Sequence, residues 1–255
     1  MSELKSTERF SDRVEDYVRY RPDYPPALLD WLHRAHGVTP SWSVVDVGAG
    51  TGISSKMFLD GGHRVTAVEP NAAMRGAAQR WLGHYTGFHA IDGTATDTGL
   101  PDAHADLVSV AQAFHWFEPA ATRAEFRRIL RPDGLAAIYW NSRRLYGTPF
   151  LEGYEKLLLE YGTDYTSVAE RYADEDFMRD WFGEGYRGTA HFDHEQQLDF
   201  DQVRGRLMSS SYAPKPGHTN HEPMIAALRD LFDACAQEGR VGFDYDTRVY
   251  VGRFG

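Results

Sequence analysis

The sequence predicts an α/β fold in which a mostly parallel β-sheet carries helices on both faces. Three observations lead to this prediction. Short apolar segments that suit strands alternate with helical patterns between residues 43 and 140. A glycine-rich turn, Gly48-Ala49-Gly50-Thr51-Gly52, directly follows the first apolar segment. The second apolar segment ends at an acidic residue, Glu69. Strands that alternate with helices at this spacing pair in parallel through βαβ crossovers.

Two helices are expected before the sheet begins. Apolar and aromatic residues at helical spacing predict a helix over residues 8–20, and Pro22 should end it because the residue before a proline disfavours helical dihedrals. A second helix is predicted from Pro26 to His36. Gly37 supplies the residue type that commonly terminates a helix.

The central part of the chain supplies the alternating strands and helices. Strands are predicted at residues 43–47, 64–68, 88–91, 105–111 and 135–140. Helices are predicted at residues 54–60, 72–82 with Asn71 as its cap, and 118–130. The segment Arg131-Pro132-Asp133-Gly134 is predicted to be a turn. After Trp140 the pattern changes to helices at about 150–161, 174–182 and 222–238, with strands near 190–200 and 247–254.

Composition and charge exclude several classes of partner. The chain has 255 residues and a net charge of −10, from 37 acidic and 27 basic residues. Such an acidic protein is poorly suited to nucleic acids or anionic membranes, and no apolar run is long enough to span a bilayer. Residues 1–13 lack a signal-peptide core, and the single cysteine excludes an internal disulfide. We expect a cytoplasmic monomer or homodimer without nucleic-acid or membrane partners.

The glycine turn and the acid at the end of the second strand indicate a nucleoside site. The glycines follow the pattern G-x-G-x-G, whereas a dinucleotide fingerprint has the pattern G-x-G-x-x-G. Asp46, just before the glycines, would repel a pyrophosphate but suits a ligand with a cationic group. Glu69 is placed to accept two hydrogen bonds from a ribose diol. Together these features favour S-adenosylmethionine over a nicotinamide dinucleotide, although a purely structural glycine turn is the simpler alternative.

At these motifs the chain resembles the class I S-adenosylmethionine-dependent methyltransferases. The segments VVDVGAGTG and AVEPNAAM are similar to the two main cofactor motifs of that superfamily. Three further segments, RYRPDYPPALLDWL, AQAFHWF and SSSYAPK, together with TRVYVGRF, resemble the small-molecule subgroup that includes trans-aconitate methyltransferase-like enzymes. The resemblance implies a Rossmann-like sheet of seven strands with extra helices over the active site. It also implies one domain over residues 1–255, with N-terminal cap helices (1–40), a cofactor-binding core (41–142) and substrate-side helices and last strands (143–255).

The resemblance also implies a set of cofactor contacts. Small residues in the glycine turn would admit the methionine part of the cofactor, Asp46 would bond near its amino group directly or through water, and Glu69 would hold the ribose. The full set of expected cofactor-binding residues is Tyr20, Arg21, Asp46, Gly48, Ala49, Gly50, Gly52, Glu69, Pro70, Met74, Thr94, Ala95, Ala111 and Gln112.

Residues after the strand ends are candidates for chemistry and for binding the methyl acceptor. His115 is the candidate general base, and a histidine that only shapes the pocket is the alternative. The residues expected to bind the acceptor are Tyr24, Trp116, Arg143 and Tyr212. Arg143 or its neighbour Arg144 could hold an anionic acceptor bidentately, or both could be solvated. No histidine, cysteine or carboxylate pattern predicts a metal site.

The leading functional hypothesis is methyl transfer from S-adenosylmethionine to a small-molecule acceptor, with a carboxylate or another oxygen as the preferred acceptor atom. Three alternatives remain at this point. One is an S-adenosylmethionine-binding regulatory protein without turnover. Another is an N-, C- or S-methyltransferase of a natural product. The third is a nicotinamide oxidoreductase, which the absent G-x-G-x-x-G pattern disfavours.

Overall fold

A computed structural model of the chain describes residues 20–165 and 174–254. Apart from Tyr20, the helix predicted over residues 8–20 lies outside the described residues. In the described part, no helix is both long and apolar enough to cross a membrane.

The described residues form one seven-stranded sheet, in the order β3-β2-β1-β4-β5-β7-β6. The first five strands pair in parallel, and β7 runs antiparallel to both β5 and β6. This arrangement confirms the predicted fold class. The strands are β1 (Ser43–Val47), β2 (Arg64–Val68), β3 (Phe88–Ile91), β4 (Ala105–Ala111), β5 (Leu130–Arg143), β6 (Tyr186–Leu198) and β7 (Val241–Gly252).

Helices cover both faces of the sheet, and a further group of helices packs against the first half of β7. The helices of the described residues are α1 (Pro26–His36), α2 (Ile53–Asp60), α3 (Ala72–Leu82), α4 (Pro119–Ile129), α5 (Pro149–Tyr161), α6 (Glu175–Phe182), α7 (Phe200–Met208) and α8 (His221–Cys235). Apolar residues of α1, α2 and α3 pack on one face, and those of α4 and α6 pack on the other. A third apolar cluster joins α5, α7 and α8 to the first half of β7.

Local sequence signals set several of these boundaries. Pro26 opens α1, and Gly37 ends it in the left-handed region at φ 69°. Asn71 caps α3 by accepting the backbone N–H groups of Ala73 and Met74. These ends position the loops on either side of β1 and β2, where the predicted nucleoside site lies.

The predicted turn at residues 131–134 was wrong, because these residues belong to β5. Leu130 already pairs with Ala105, and the next pair is Leu135 with Leu107. Four residues on β5 therefore oppose one on β4, and Asp133 takes a φ of 70° within this irregularity. Residues 131–134 therefore form a β-bulge near the start of β5 rather than a turn before it.

The last two strands are longer than the sequence predicted. They pair without interruption from Val241 with Leu198 to Val251 with Gly188, whereas strands were predicted only near 190–200 and 247–254. Because β7 is antiparallel to β5, the first residues of β7 lie beside the carboxyl ends of the parallel strands. The first half of β7 thus reaches the region of the predicted site.

Candidate active site

A cavity of about 490 Å³ lies at the carboxyl ends of the parallel strands. Open parallel sheets bind ligands at this edge, beyond the strand ends. The cavity crosses the sheet from the end of β2, past β1, β4 and β5, to the start of β7. The predicted site residues among its lining are Arg21, Tyr24, Gly48, Ala49, Gly50, Glu69, Pro70, Met74, Ala111, Gln112, His115, Trp116, Arg143 and Tyr212.

The glycine turn after β1 brings backbone close to the cavity. Gly48 has a φ of 70°, and a Cβ added there would lie 2.7 Å from the Cβ of Ala113. Gly50 also has a positive φ, and its added Cβ would meet only Met74 Sδ, at 3.9 Å. A side chain at Gly48 would collide with the β4 loop. The turn therefore presents bare backbone to whatever occupies the cavity.

Glu69 is held rigidly at the end of β2. Its two carboxylate oxygens accept the backbone N–H groups of Gly50 and Asn71, each at 2.8 Å. The side chain is 7% exposed, and burial raises the pKa of Glu69, although the hydrogen bonds from Asn71 and Gly50 act in the opposite direction. Each oxygen keeps a lone pair that can accept a further hydrogen bond. Glu69 is thus an oriented acceptor on the cavity wall.

Asp46 does not line the cavity, and its expected contact near the cofactor's amino group stays a prediction. The side chain is 0% exposed and accepts the hydroxyl groups of Ser54, Ser55 and Ser109. Burial raises the pKa of Asp46, and the three hydroxyls oppose that shift. The carboxylate fixes the start of α2 against β1 and β4, so its contribution to the site is to support the glycine turn.

Four further predicted contacts lie outside the cavity lining, each for a packing reason. Gly52 caps α2 at φ 91°, and an added Cβ would lie 2.6 Å from Leu82 Cδ1, so this glycine serves helix packing. Thr94 accepts the backbone N–H of Asp97 in a turn, and Ala95 is buried in the apolar cluster of the second face. The ring of Tyr20 lies against Gly205 of α7.

The end of β4 carries the candidate base and a strained backbone residue. Gln112 has a φ of 60°, which is uncommon for a residue with a side chain. Its amide donates to the backbone oxygen of Asn141 at 3.1 Å, which ties the end of β4 to β5. A 3₁₀ turn, Phe114–Trp116, follows, and it brings His115 and Trp116 to the cavity.

The far half of the cavity is aromatic. Tyr154 of α5, Tyr165, Tyr212 and Phe243 of β7 line it, and the rings of Tyr165 and Tyr212 meet edge to face with centroids 5.0 Å apart. Apart from Tyr212, the sequence analysis did not identify these residues. A predicted amphipathic helix gave no indication which of its residues face a ligand.

Arg143 lines the cavity, but its charge is already paired. Its guanidinium forms an ion pair with Glu155 and donates to Tyr165 Oη at 3.0 Å. Arg144 does not line the cavity and pairs with Asp193 on the surface. The predicted bidentate capture of an anion by one of these arginines is therefore not supported, because each already has a carboxylate partner.

Arg206 is a charged residue of the cavity lining that the sequence analysis did not identify. It lies on α7, lines the aromatic half of the cavity and is 8% exposed. The available signal was the pattern VRGRLM, in which Arg206 lies next to Leu207 near the end of a helix. Arginine is almost never so buried unless it has a partner or a ligand.

The cavity fits S-adenosylmethionine on features of this chain. At Gly50 the missing side chain leaves cavity space that a Cβ would fill, whereas at Gly48 a Cβ would collide with Ala113. Thr51 Oγ1 is buried beside the cavity and has no hydrogen-bond partner among the described residues. Glu69 offers an oriented acceptor pair. Met74 supplies a soft apolar contact suited to a flat aromatic base.

Residues 45–138 match the sequence model of a family described as "Methyltransferase domain". An uncharacterised methyltransferase of Mycobacterium tuberculosis strain H37Rv is 39% identical over 134 residues. That match covers 52% of each chain, so this chain spans about half the length of that relative. A methyltransferase-like protein of Schizosaccharomyces pombe is 28% identical over 232 residues, which cover 91% of this chain and 88% of the relative.

Solved structures of methyltransferases share the architecture. A protein of Anaeromyxobacter dehalogenans assigned as a type II methyltransferase superposes with a TM-score of 0.67 at 24% identity, over 92% of this chain and 98% of that one. An N-methyltransferase of Haemonchus contortus, solved with S-adenosylhomocysteine, gives a TM-score of 0.59 at 12% identity, over 99% of this chain and 59% of that one. At these identities the likeness concerns the fold. The chain therefore has the same α/β Rossmann-like fold as these structures, and residues 45–138 are similar in sequence to the methyltransferase-domain family.

Proposed function

We propose that the protein transfers a methyl group from S-adenosylmethionine to an oxygen atom of a small-molecule acceptor. The observation that carries this proposal is the pairing of Glu69 with the glycine turn at one end of a cavity whose other end is aromatic. The first end suits a nucleoside with a ribose diol. The second end leaves room for an acceptor beside it.

The residues of the first end would hold the cofactor. Glu69 accepts the ribose hydroxyls, while Gly48 and Gly50 admit the amino-acid part. Arg21 and Tyr24 lie over the same cavity from the segment before α1. When bound, S-adenosylmethionine supplies a methyl group on a sulfonium, so that an acceptor oxygen forms the new bond to carbon while the electron pair of the broken bond stays on sulfur.

The residues at the end of β4 would align the acceptor with the methyl group. Alignment is the main requirement, because the donor is already activated. His115 and Trp116 lie where such an acceptor would pass. An acceptor hydroxyl carries a proton that must leave, and we assign its removal to His115. A carboxylate carries none and needs only positioning.

A small acceptor with a carboxylate or another oxygen is also supported by the resemblance to the trans-aconitate methyltransferase-like subgroup. The cavity of about 490 Å³ has the size of sites for small ligands. The net charge of −10 disfavours a nucleic-acid acceptor.

A product assay tests the proposal. The protein is incubated with S-adenosylmethionine and panels of carboxylic acids, phenols, amines and thiols, and S-adenosylhomocysteine is quantified by mass spectrometry. We expect turnover with oxygen acceptors. Tight cofactor binding without S-adenosylhomocysteine formation in any panel would favour a regulatory protein instead. Turnover confined to amines or thiols would contradict the oxygen assignment.

A further inference from the structure

Arg206 carries a buried positive charge that the described protein residues do not neutralise. Its Nε donates to Tyr245 Oη at 3.1 Å, and its guanidinium carbon lies 5.9 Å and 5.8 Å from the ring centroids of Phe243 and Tyr245. Within residues 20–165 and 174–254, no carboxylate lies within 4.0 Å of the guanidinium. Burying an uncompensated charge is costly, so a group that neutralises it on binding recovers a large interaction free energy.

The two arginines in the far half of the cavity are therefore not equivalent. Arg143 is matched by Glu155, so that pair contributes no net charge to the pocket. In the part of the chain that the structure describes, the guanidinium of Arg206 lies against the rings of Phe243 and Tyr245 and donates to the Tyr245 hydroxyl. Burial by itself would lower the pKa of Arg206, but the phenols of Tyr245, Tyr212 and Tyr154 more than offset this and the pKa is raised. The guanidinium is therefore charged at any physiological pH.

The position of Arg206 places its ligand on the acceptor side. Arg206 contacts β7, while Glu69 follows β2, and four strand spacings separate these strands in the sheet. Adjacent strands lie about 4.8 Å apart, so the two ends of the cavity are roughly 19 Å from each other. Glu69 and Arg206 are therefore too far apart to bind the same group, and a ligand of Arg206 would lie on the acceptor side of the cavity.

We propose that Arg206 binds a carboxylate of the methyl acceptor, so that the enzyme selects small anionic acceptors. A planar guanidinium with free donors matches a carboxylate in geometry and charge. The aromatic rings of Tyr154 and Phe243 would contact the apolar body of the acceptor. This inference rests on the proposed function for the identity of the second ligand, but its recognition step can be measured without turnover.

The test compares matched ligands on the protein saturated with S-adenosylhomocysteine. Carboxylate and carboxamide pairs (benzoate with benzamide, phenylacetate with phenylacetamide, glutarate with glutaramide) are titrated by calorimetry. We expect at least one carboxylate to bind about tenfold or more tightly than its amide, as is typical of a charge-assisted hydrogen bond. Arg206→Met should remove this preference, and Arg206→Lys should retain part of it. Arg204→Met is the matched control, because Arg204 is exposed on the same helix.

Three results would overturn the inference. Wild-type protein could show no carboxylate preference in any pair, or the preference could persist in both Arg206 variants. S-adenosylhomocysteine affinity could also fall about tenfold in Arg206→Met but not in Arg204→Met, which would mean that Arg206 binds the carboxylate of the cofactor instead. If wild-type protein does not bind S-adenosylhomocysteine at all, the proposed function fails, and the carboxylate pairs are then measured on the protein alone. Thermal melting of each variant, together with the partial preference expected of Arg206→Lys, distinguishes a loss of carboxylate recognition from misfolding.

Discussion

The carboxylate of Glu69 accepts the backbone N–H of Gly50 at 2.8 Å and so joins the end of β2 to the glycine turn after β1. The other carboxylate oxygen accepts the N–H of Asn71, which begins the cap of α3. One side chain therefore fixes two backbone segments and presents its remaining lone pairs to the cavity. The assignment of the ribose to this position depends on that geometry.

Glu69→Gln should weaken S-adenosylhomocysteine binding by about 2–3 kcal/mol. The amide nitrogen of glutamine cannot accept a hydrogen bond, so one backbone N–H and one ribose hydroxyl would each lose their acceptor. Calorimetric titration measures the change. Glu152→Gln, an exposed residue of α5, is the matched control and should bind normally. Equal affinity in Glu69→Gln and wild type would refute the ribose assignment.

Cofactor affinity should fall as the pH decreases through the pKa of Glu69. Burial raises that pKa above its ordinary value of 4.5, and the protonated carboxyl loses acceptor capacity. The same shift means that the contribution of Glu69 to folding stability declines as the pH rises through the interval between its unfolded and folded pKa values. Titrations of S-adenosylhomocysteine across the acidic range in wild type and Glu69→Gln test this. A parallel pH dependence in both proteins would assign the effect to another group.

Asp46→Asn should lower the free energy of unfolding by about 1–3 kcal/mol while leaving S-adenosylhomocysteine affinity nearly unchanged. Three hydroxyl donors would face a side chain that has lost its charge, whereas the cavity lining stays as it is. Urea unfolding and calorimetry measure the two quantities. A large loss of affinity in a protein of normal stability would mean that Asp46 contacts the cofactor after all.

His115→Ala should reduce kcat by about 100-fold or more with a phenol acceptor, and much less with a carboxylate acceptor. The base is needed only where the acceptor oxygen carries a proton. Affinity for S-adenosylhomocysteine should be preserved, and His89→Ala on the exposed side of β3 serves as the control. An equal loss of turnover with both acceptor classes would make His115 a positioning residue.

The fold class and the positions of the glycine turn and Glu69 were predictable because their signals are local. Apolar runs, the glycine turn and the acid after β2 lie within thirty residues, roughly the length of one βαβ unit. Gly48, Gly50 and Glu69 all line the cavity, and their contacts with the cofactor stay a prediction. The burial of Asp46 was not predictable in the same way, because one of its hydroxyl partners, Ser109, lies on β4, 63 residues along the chain, and a local sequence pattern does not show that contact.

The acceptor end could not be predicted from local patterns. Arg206, Tyr154 and Phe243 come from α7, α5 and β7, and only the antiparallel insertion of β7 beside β5 brings them together. The ion pair that neutralises Arg143 has the same origin, since Glu155 lies on a separate helix. Which arginine keeps a free charge is a property of tertiary structure.

A crystal structure with S-adenosylhomocysteine tests the central claim most directly. We predict that both ribose hydroxyls donate to the carboxylate of Glu69, with the sulfur near the end of β4 and the aromatic half of the cavity left for the acceptor. A ribose placed away from Glu69, or a nicotinamide dinucleotide occupying this cavity in preference to S-adenosylhomocysteine, would contradict the account.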